Sequence, residues 1–119
     1  FPFPEYFRDL LDEGVRLCAM GFCMVGPTAA KRNIARAHLV SRAAENGIWM
    51  LAANGLGGVQ NCPTCLVDPD GFVVAEAPAD REAMLVETIR LKPASPVGRT
   101  IRRHARQLRD RTKEDGRHP

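Results

Sequence analysis

The chain has 119 residues, 45% hydrophobic and 26% charged, with 17 Lys and Arg against 14 Asp and Glu for a net charge of +3. That is the size of one small domain, able to bury roughly two thirds of its unfolded surface, and the composition of an ordinary globular protein, neither fibrous nor disordered. No apolar run reaches the ~20 residues of a membrane helix and no signal-peptide pattern opens the chain, so no membrane partner is expected and a cytoplasmic setting is the default.

Phe1 opens the chain inside what reads as a loop-to-helix junction, and we therefore expect a piece of a longer polypeptide, or a processed or split form. Phe3-Pro4-Glu5 places Pro and an acid in a first helical turn, where orphan N–H groups and the positive end of the helix dipole favour both. Tyr6, Leu10 and Leu11 make this a short amphipathic helix that ends at Asp12-Glu13-Gly14. Residues 15–20 alternate and are expected to form a strand with Val15, Leu17 and Ala19 on one face and Arg16, Cys18 and Met20 on the other. Residues 21–28 read as a loop, with Thr28 as the N-cap of the next helix.

In that helix Ile34, Ala37, Val40 and Ala44 recur at spacings of three and four, a stripe of mostly small side chains suited to lying close on a sheet. Arg42 and Glu45, three apart, can pair for ~0.2–0.5 kcal/mol. The helix should end at Asn46-Gly47, because Gly takes positive φ freely. Residues 48–53 are then six apolar residues, expected to be a central strand buried on both faces. Residues 55–63 are glycine-rich and then polar, long enough for a binding loop. Two short strands, 64–67 and 72–76, are joined by Asp68-Pro69-Asp70-Gly71, where Pro fixes φ and Gly supplies a left-handed residue. Residues 84–91 alternate again and predict a last strand. From Arg99 onward eight basic residues face three acids, so the tail carries +5 and the body −2; a solvated helix to about Lys113 is expected there.

The stretch 42–54, Arg-Ala-Ala-Glu-Asn-Gly-Ile-Trp-Met-Leu-Ala-Ala-Asn, resembles the carbon-nitrogen hydrolase (nitrilase and amidase) superfamily, whose later half carries Arg-Ala-x-Glu-Asn, a strand ending in Ala-Ala-Asn, and a Gly-containing loop. Arg42, Ala43, Glu45, Asn46, Ala52, Ala53, Asn54 and Gly57 fall in place. Phe3-Pro4-Glu5 with Arg8 looks like the family's helix start after its nucleophile, and residues 64–71 look like its Ser-x-Ile-x-Asp-Pro-x-Gly hairpin, with Thr64 in the Ser position. The matches run in the family's order from residue 1 to about 91.

The resemblance implies an α/β fold, one half of an α-β-β-α sandwich with helices on one face of a mixed sheet. Residues 1–98 would be the carboxy-terminal half of the domain and 99–119 a basic tail. The implied activity is hydrolysis of a non-peptide amide, N-carbamoyl compound or nitrile; the wording Gly21-Phe22-Cys23-Met24 before Pro27 leans toward an amidase. Family enzymes use a Glu-Lys-Cys triad, in which a base and a cation beside the sulfur favour thiolate attack and steady the oxyanion. The triad is expected upstream of Phe1, which leaves no catalytic residue in this chain and makes it inactive alone. The loop 21–26 and the start of the hairpin would lie near substrate, so Phe22, Cys23, Thr64 and Asn54 are the candidate pocket residues. Gly21 departs from the family, which usually has Pro there. No cofactor is implied, and the implied partners are the small-molecule substrate and either further copies of the chain or a complementing amino-terminal half. A non-catalytic binding or assembly module is the alternative.

Other readings are weaker. Cys62-Pro63-Thr64-Cys65 has redox spacing, but it leads into a hairpin and not a helix. Zinc would need Cys18 and Cys23 as a second pair, and a strand splays them, so no metal site is expected. Cys23 is expected to be a buried, inert thiol, and Lys31 to point to water. His38, His104 and His118 add no ligand spacing. The basic tail lacks interleaved aromatics, which favours a subunit contact over nucleic acid.

Overall fold

The computed structural model describes residues 3–26, 28, 31–91 and 95–116. In chain order these form α1 (Pro4–Asp12), β1 (Leu17–Phe22), β2 (Val25–Gly26), α2 (Arg32–Asn46), β3 (Trp49–Asn54), β4 (Val59–Gln60), β5 (Cys65–Val67), β6 (Val73–Glu76) and α3 (Pro96–Glu114). Four strands make a mixed sheet in the order β1-β3-β5-β6, and β2 with β4 makes a separate antiparallel pair. β1 and β3 are parallel, from Leu17 opposite Trp49 to Phe22 opposite Asn54, while β5 runs antiparallel to both β3 and β6. Among the described strands the parallel pair is thus the one whose connection contains a helix, as a crossover demands.

The α2–β3 junction sets this layout. Asn46 is buried and its amide donates to the Arg42 carbonyl at 2.9 Å, closing the last turn from inside. Gly47 then takes φ +60°, ψ +40°, its N–H returning to the Ala43 carbonyl, and the chain reverses within two residues. α2 is thereby laid back on β3, with Ala35, Leu39 and Ala43 against Met50 and Ala52 in one buried cluster that also holds Phe7 and Leu11 of α1, and Cys65 and Val67 of β5. The buried stripe of α2 differs from the expected one: Ile34 and Ala37 are exposed and Val40 packs on the core half-buried, whereas Ala35, Leu39, Arg42, Ala43 and Asn46 face inward. Arg42 pairs with Glu45 as expected, but from a buried position. In α1, similarly, Phe7 and Leu11 are buried and Tyr6 is exposed.

The helices cover one face of the sheet. β1 begins two residues later than expected, with Cys18, Met20 and Phe22 packed on the core and Leu17, Ala19 and Gly21 outward. β3 is accordingly not buried on both sides: Met50 and Ala52 are fully enclosed, Leu51 is half-buried and Ala53 exposed. The expected last strand, residues 84–91, forms no ladder with any described strand. It crosses the outer face of the sheet as a strap, where Leu85 and Ile89 line a cleft with Leu17, Leu51 and Leu66. Two bonds hold its end, Trp49 Nε1 to the Arg90 carbonyl at 3.1 Å and Arg16 to the Leu91 carbonyl at 3.1 Å.

The hairpin forms where its turn residues place it. The Asp68 carboxylate accepts from the N–H groups of Asp70 and Phe72 at 3.0 and 2.9 Å, and Gly71 sits at φ +89°. The tip is coupled onward, since the Asp70 carboxylate accepts from Ser95 N–H at 3.1 Å and the Ser95 hydroxyl caps α3 by accepting from Gly98 N–H at 3.1 Å. Ser95-Pro96, a cap followed by Pro at the first helical position, is a start signal that places α3 before the basic tail begins. α3 is not simply solvated: it packs on α2, and Arg109 and Arg106 reach Asp12 of α1 at 2.6 and 3.6 Å. Thr28 does not cap α2, whose N-cap is Lys31 without a side-chain bond; residues 27, 29 and 30 lie outside the described residues.

Gly71→Ala tests the junction between hairpin and helix. A methyl there would meet Ala44 Cβ at 3.2 Å and Val40 Cγ1 at 3.3 Å, on a backbone with positive φ. A loss of about 1–3 kcal/mol in urea unfolding is expected, whereas Gly21→Ala, with ordinary φ and nothing within 4 Å, should change stability by less than about 0.5 kcal/mol. A pH series tests the docking of α3. The hydrogen bond from Arg109, with the charges of Arg109, Arg106 and Lys113, holds Asp12 below the usual carboxylate range against some desolvation. Its contribution is present above the unfolded value of about 3.9 and is lost as pH falls through the depressed folded value. The stability gap between wild type and Asp12→Asn should therefore be open at pH 7 and close progressively below about pH 4.

Candidate functional site

β1 and β3 are parallel and end side by side, so the loops leaving Phe22 and Asn54 emerge at the same edge of the sheet. The carboxyl ends of parallel strands are where open α/β sheets place ligand loops. Asn54 ties these loops together. Its side-chain oxygen accepts from Met24 N–H at 2.8 Å, and its amide nitrogen donates to the carbonyls of Cys62 at 2.8 Å and Met24 at 3.2 Å. Its backbone N–H donates to the Thr64 hydroxyl at 2.9 Å. One half-buried amide thus holds the β1–β2 loop, the β4–β5 turn and the end of β3.

Of the four pocket candidates, Asn54 and Thr64 are in direct contact. Cys23 is close to them: its sulfur lies 3.8 Å from where a Cβ on Gly55 would sit. It is exposed and not buried as expected, because β1 runs through Phe22 and Cys23 is the first residue beyond the ladder. Phe22 stands opposite Asn54 in the ladder, half-buried and packed against the core.

Gln60 carries no recognisable signal in the sequence. It is 3% exposed; its amide nitrogen donates to the Gly55 carbonyl at 3.1 Å and its backbone carbonyl accepts from Arg32 at 3.4 Å. Its side-chain oxygen has no hydrogen-bond partner among the described residues. It pairs with Val25 in the β2–β4 ladder, and two strands of two residues each carry too little periodicity to read from sequence. Met24 acts through its backbone, which side-chain patterns do not report: its carbonyl accepts from both Asn61 N–H at 2.7 Å and the Asn54 amide at 3.2 Å.

Behind this edge lie Cys62 and Cys65, wholly buried and free. A hydrogen bond from the Cys65 thiol lowers Cys62 from the ordinary thiol range, and the same bond, with burial, pushes Cys65 well above it. Burial also raises Cys18. No group of three or more His, Cys, Asp or Glu poised to hold a metal occurs among the described residues. A separate cleft of about 190 Å³ between the three helices, lined in part by Arg8, Glu45, Ile101 and Arg109, shares no residue with the Asn54 cluster. The cluster offers hydrogen-bonding order and a thiol at its rim, which suits the positioning of a loop.

Asn54→Ala removes the acceptor of Met24 N–H and the donor to two carbonyls at once. A loss of about 1–3 kcal/mol is expected, and hydrogen exchange at the Met24 amide should accelerate more than at amides of α2, which separates local release of the loop from a general loss of stability.

The carbon-nitrogen hydrolase family model matches residues 3–99. No curated protein sequence matches the chain significantly. Among solved structures it is similar to a nitrilase-superfamily amidase from Nesterenkonia sp. AN1, with 26% identity and a TM-score of 0.54 over 66% of this chain and 30% of the amidase, in a form with the acetamide moiety of fluoroacetamide added to its active-site cysteine. The same amidase bound to butyramide matches equally well, over 31% of its length. Saccharomyces cerevisiae Nit3, a member of branch 10 of the nitrilase superfamily, shares the fold at 24% identity and a TM-score of 0.55, over 67% of this chain and 31% of Nit3. The chain thus spans about a third of the length of the structures it matches. With its mixed sheet, one-sided helical layer and matched span, the chain belongs to the carbon-nitrogen hydrolase family.

Proposed function

We propose that this chain contributes the carboxy-terminal part of the fold and part of the pocket wall of an amidase-type carbon-nitrogen hydrolase, acting on a small non-peptide amide. The match over residues 3–99 carries the reading, and the likeness to an amidase structure supports amide over nitrile or N-carbamoyl substrates. Asn54 and Thr64 order the loops at the pocket edge, Cys23 lies at its rim, and Phe22 backs it. The Glu-Lys-Cys triad lies upstream of Phe1, since the family's nucleophile precedes the Phe-Pro-Glu segment that here begins α1. The setting is cytoplasmic, with no nucleic-acid partner.

A second reading is supported by the outer face of the sheet. Leu17, Leu51 and Leu66 line a cleft with Leu85, Val86 and Ile89 of the strap at 84–91, and Leu17, Val74, Met84 and Val86 are exposed. An apolar face of this kind fits an assembly partner, either further copies of the chain or a complementing amino-terminal half.

Ammonia release from acetamide and butyramide separates the two. The polypeptide encoded in frame with an upstream Glu, Lys and Cys should hydrolyse these amides, and the 119-residue chain alone should be slower by at least about 1000-fold. Turnover by the chain alone would overturn the placement of the triad. A longer polypeptide that releases no ammonia from amides, nitriles or N-carbamoyl compounds would favour the assembly reading.

A further inference from the structure

In Cys62-Pro63-Thr64-Cys65 the two cysteines are a feature that the hydrolase reading does not use. Both residues belong to the same buried cluster beneath the sheet edge, and the Cys62 thiol donates to the Pro63 carbonyl at 3.7 Å. The residues around them are those that hold the candidate site: the Cys62 carbonyl accepts from Asn54 at 2.8 Å, and the Thr64 hydroxyl between the two cysteines accepts from Asn54 N–H at 2.9 Å. Cys65 opens β5 opposite Ala52, two residues before Asn54.

We propose that Cys62 and Cys65 form a redox-active dithiol that closes to an intramolecular disulfide and thereby clamps the turn gripping Asn54. The two thiols are unequal, as such chemistry requires: Cys65 keeps its proton and shares it with Cys62, which makes Cys62 the sulfur that ionises first. The oxidant is a low-molecular-weight disulfide. The Cys62 thiolate attacks one of its sulfurs, expelling a thiolate and forming a mixed disulfide; Cys65 then gives up its proton and attacks the Cys62 sulfur, expelling the second thiolate. Two protein thiols are oxidised to one disulfide, and the small disulfide is reduced to two thiols. Burial of both sulfurs makes local opening the gate, and the turn lies where opening is easiest, between a two-residue strand and a three-residue strand. The disulfide would fix the Cys62 carbonyl and the Thr64 hydroxyl relative to each other, and with them the two contacts through which Asn54 holds the β4–β5 turn. Its bearing on a substrate pocket rests on the amidase reading; the dithiol itself does not.

The test is therefore independent of hydrolysis. The folded chain is equilibrated in glutathione buffers of graded ratio, quenched by alkylation and digested with trypsin. Cleavage after Arg42 and Arg81 puts Cys62 and Cys65 on one peptide and Cys18 and Cys23 on another. As glutathione is oxidised, the 43–81 peptide should lose two hydrogens and both alkylation sites. Cys65→Ala should instead trap glutathione on Cys62, and hydrogen exchange at Met24 and Asn54 should slow several-fold in the oxidised wild type. Three results would each overturn the proposal: full alkylation of both cysteines at every ratio, a disulfide that appears only when Trp49 fluorescence reports unfolding, or a disulfide that leaves exchange at Met24 and Asn54 unchanged.

Discussion

The structure depends on the reversal at Gly47. Because α2 and β3 are separated only by Gly47 and Ile48, the helix has no freedom to sit elsewhere, and its Leu39 and Ala43 are delivered onto Met50 and Ala52. A residue other than Gly at φ +60° would cost about 1–2 kcal/mol before any packing is considered. Everything else is placed by that contact. β1 takes the parallel side of β3, β5 takes the antiparallel side, and α1 and α3 find α2 as the surface to cover.

How much of this could be read in advance varies with how far each signal is local. The helix stop at Asn46-Gly47, the hairpin turn at Asp68 to Gly71 and the Pro start of α1 are short-range chemistry, and they stand where the sequence puts them. Choices of face fared worse. β1 alternates visibly, but both of its faces carry apolar residues, Leu17 and Ala19 on one and Cys18, Met20 and Phe22 on the other, so alternation fixes the period and not the sign. Only contact with β3 settles it. In α2 alanines occupy positions on both sides of the true stripe, and buried Arg42 and Asn46 hide it further. Residues 84–91 alternate like a strand, yet a strand also needs a free ladder edge, and alternation says nothing of that.

The site divides in the same way. Asn54 and Thr64 were visible because they sit inside motifs of fixed order, and they touch. Their partners were not visible, since Met24 and Cys62 act through backbone groups that any residue other than proline supplies in full. Gln60 is the opposite case, a side chain whose burial follows from a two-residue ladder with β2 that no pattern announces. Cys23 and Phe22, adjacent in sequence, part ways where the strand ends: alternation turns Phe22 to the core, and the loop frees Cys23.

The two faces of the sheet carry different obligations. The inner face is closed by α1 and α2 and needs no partner among the described residues. The outer face has a leucine on each of three neighbouring strands, Leu17, Leu51 and Leu66, which line a cleft with Leu85, Val86, Glu87 and Ile89 of the strap. The strap is fixed by bonds near its end, at Arg90 and Leu91, while Met84 and Val86 stand exposed beside it. Apolar area left in water on one face is stabilisation not yet realised, at about 25 cal/mol per Å² once covered. The strap is tethered by backbone carbonyls and not by a ladder, so it can adjust to a covering surface without breaking the sheet. The loops held by Asn54 leave from the edge of that same sheet, so a partner settling on the leucine face would lie next to them.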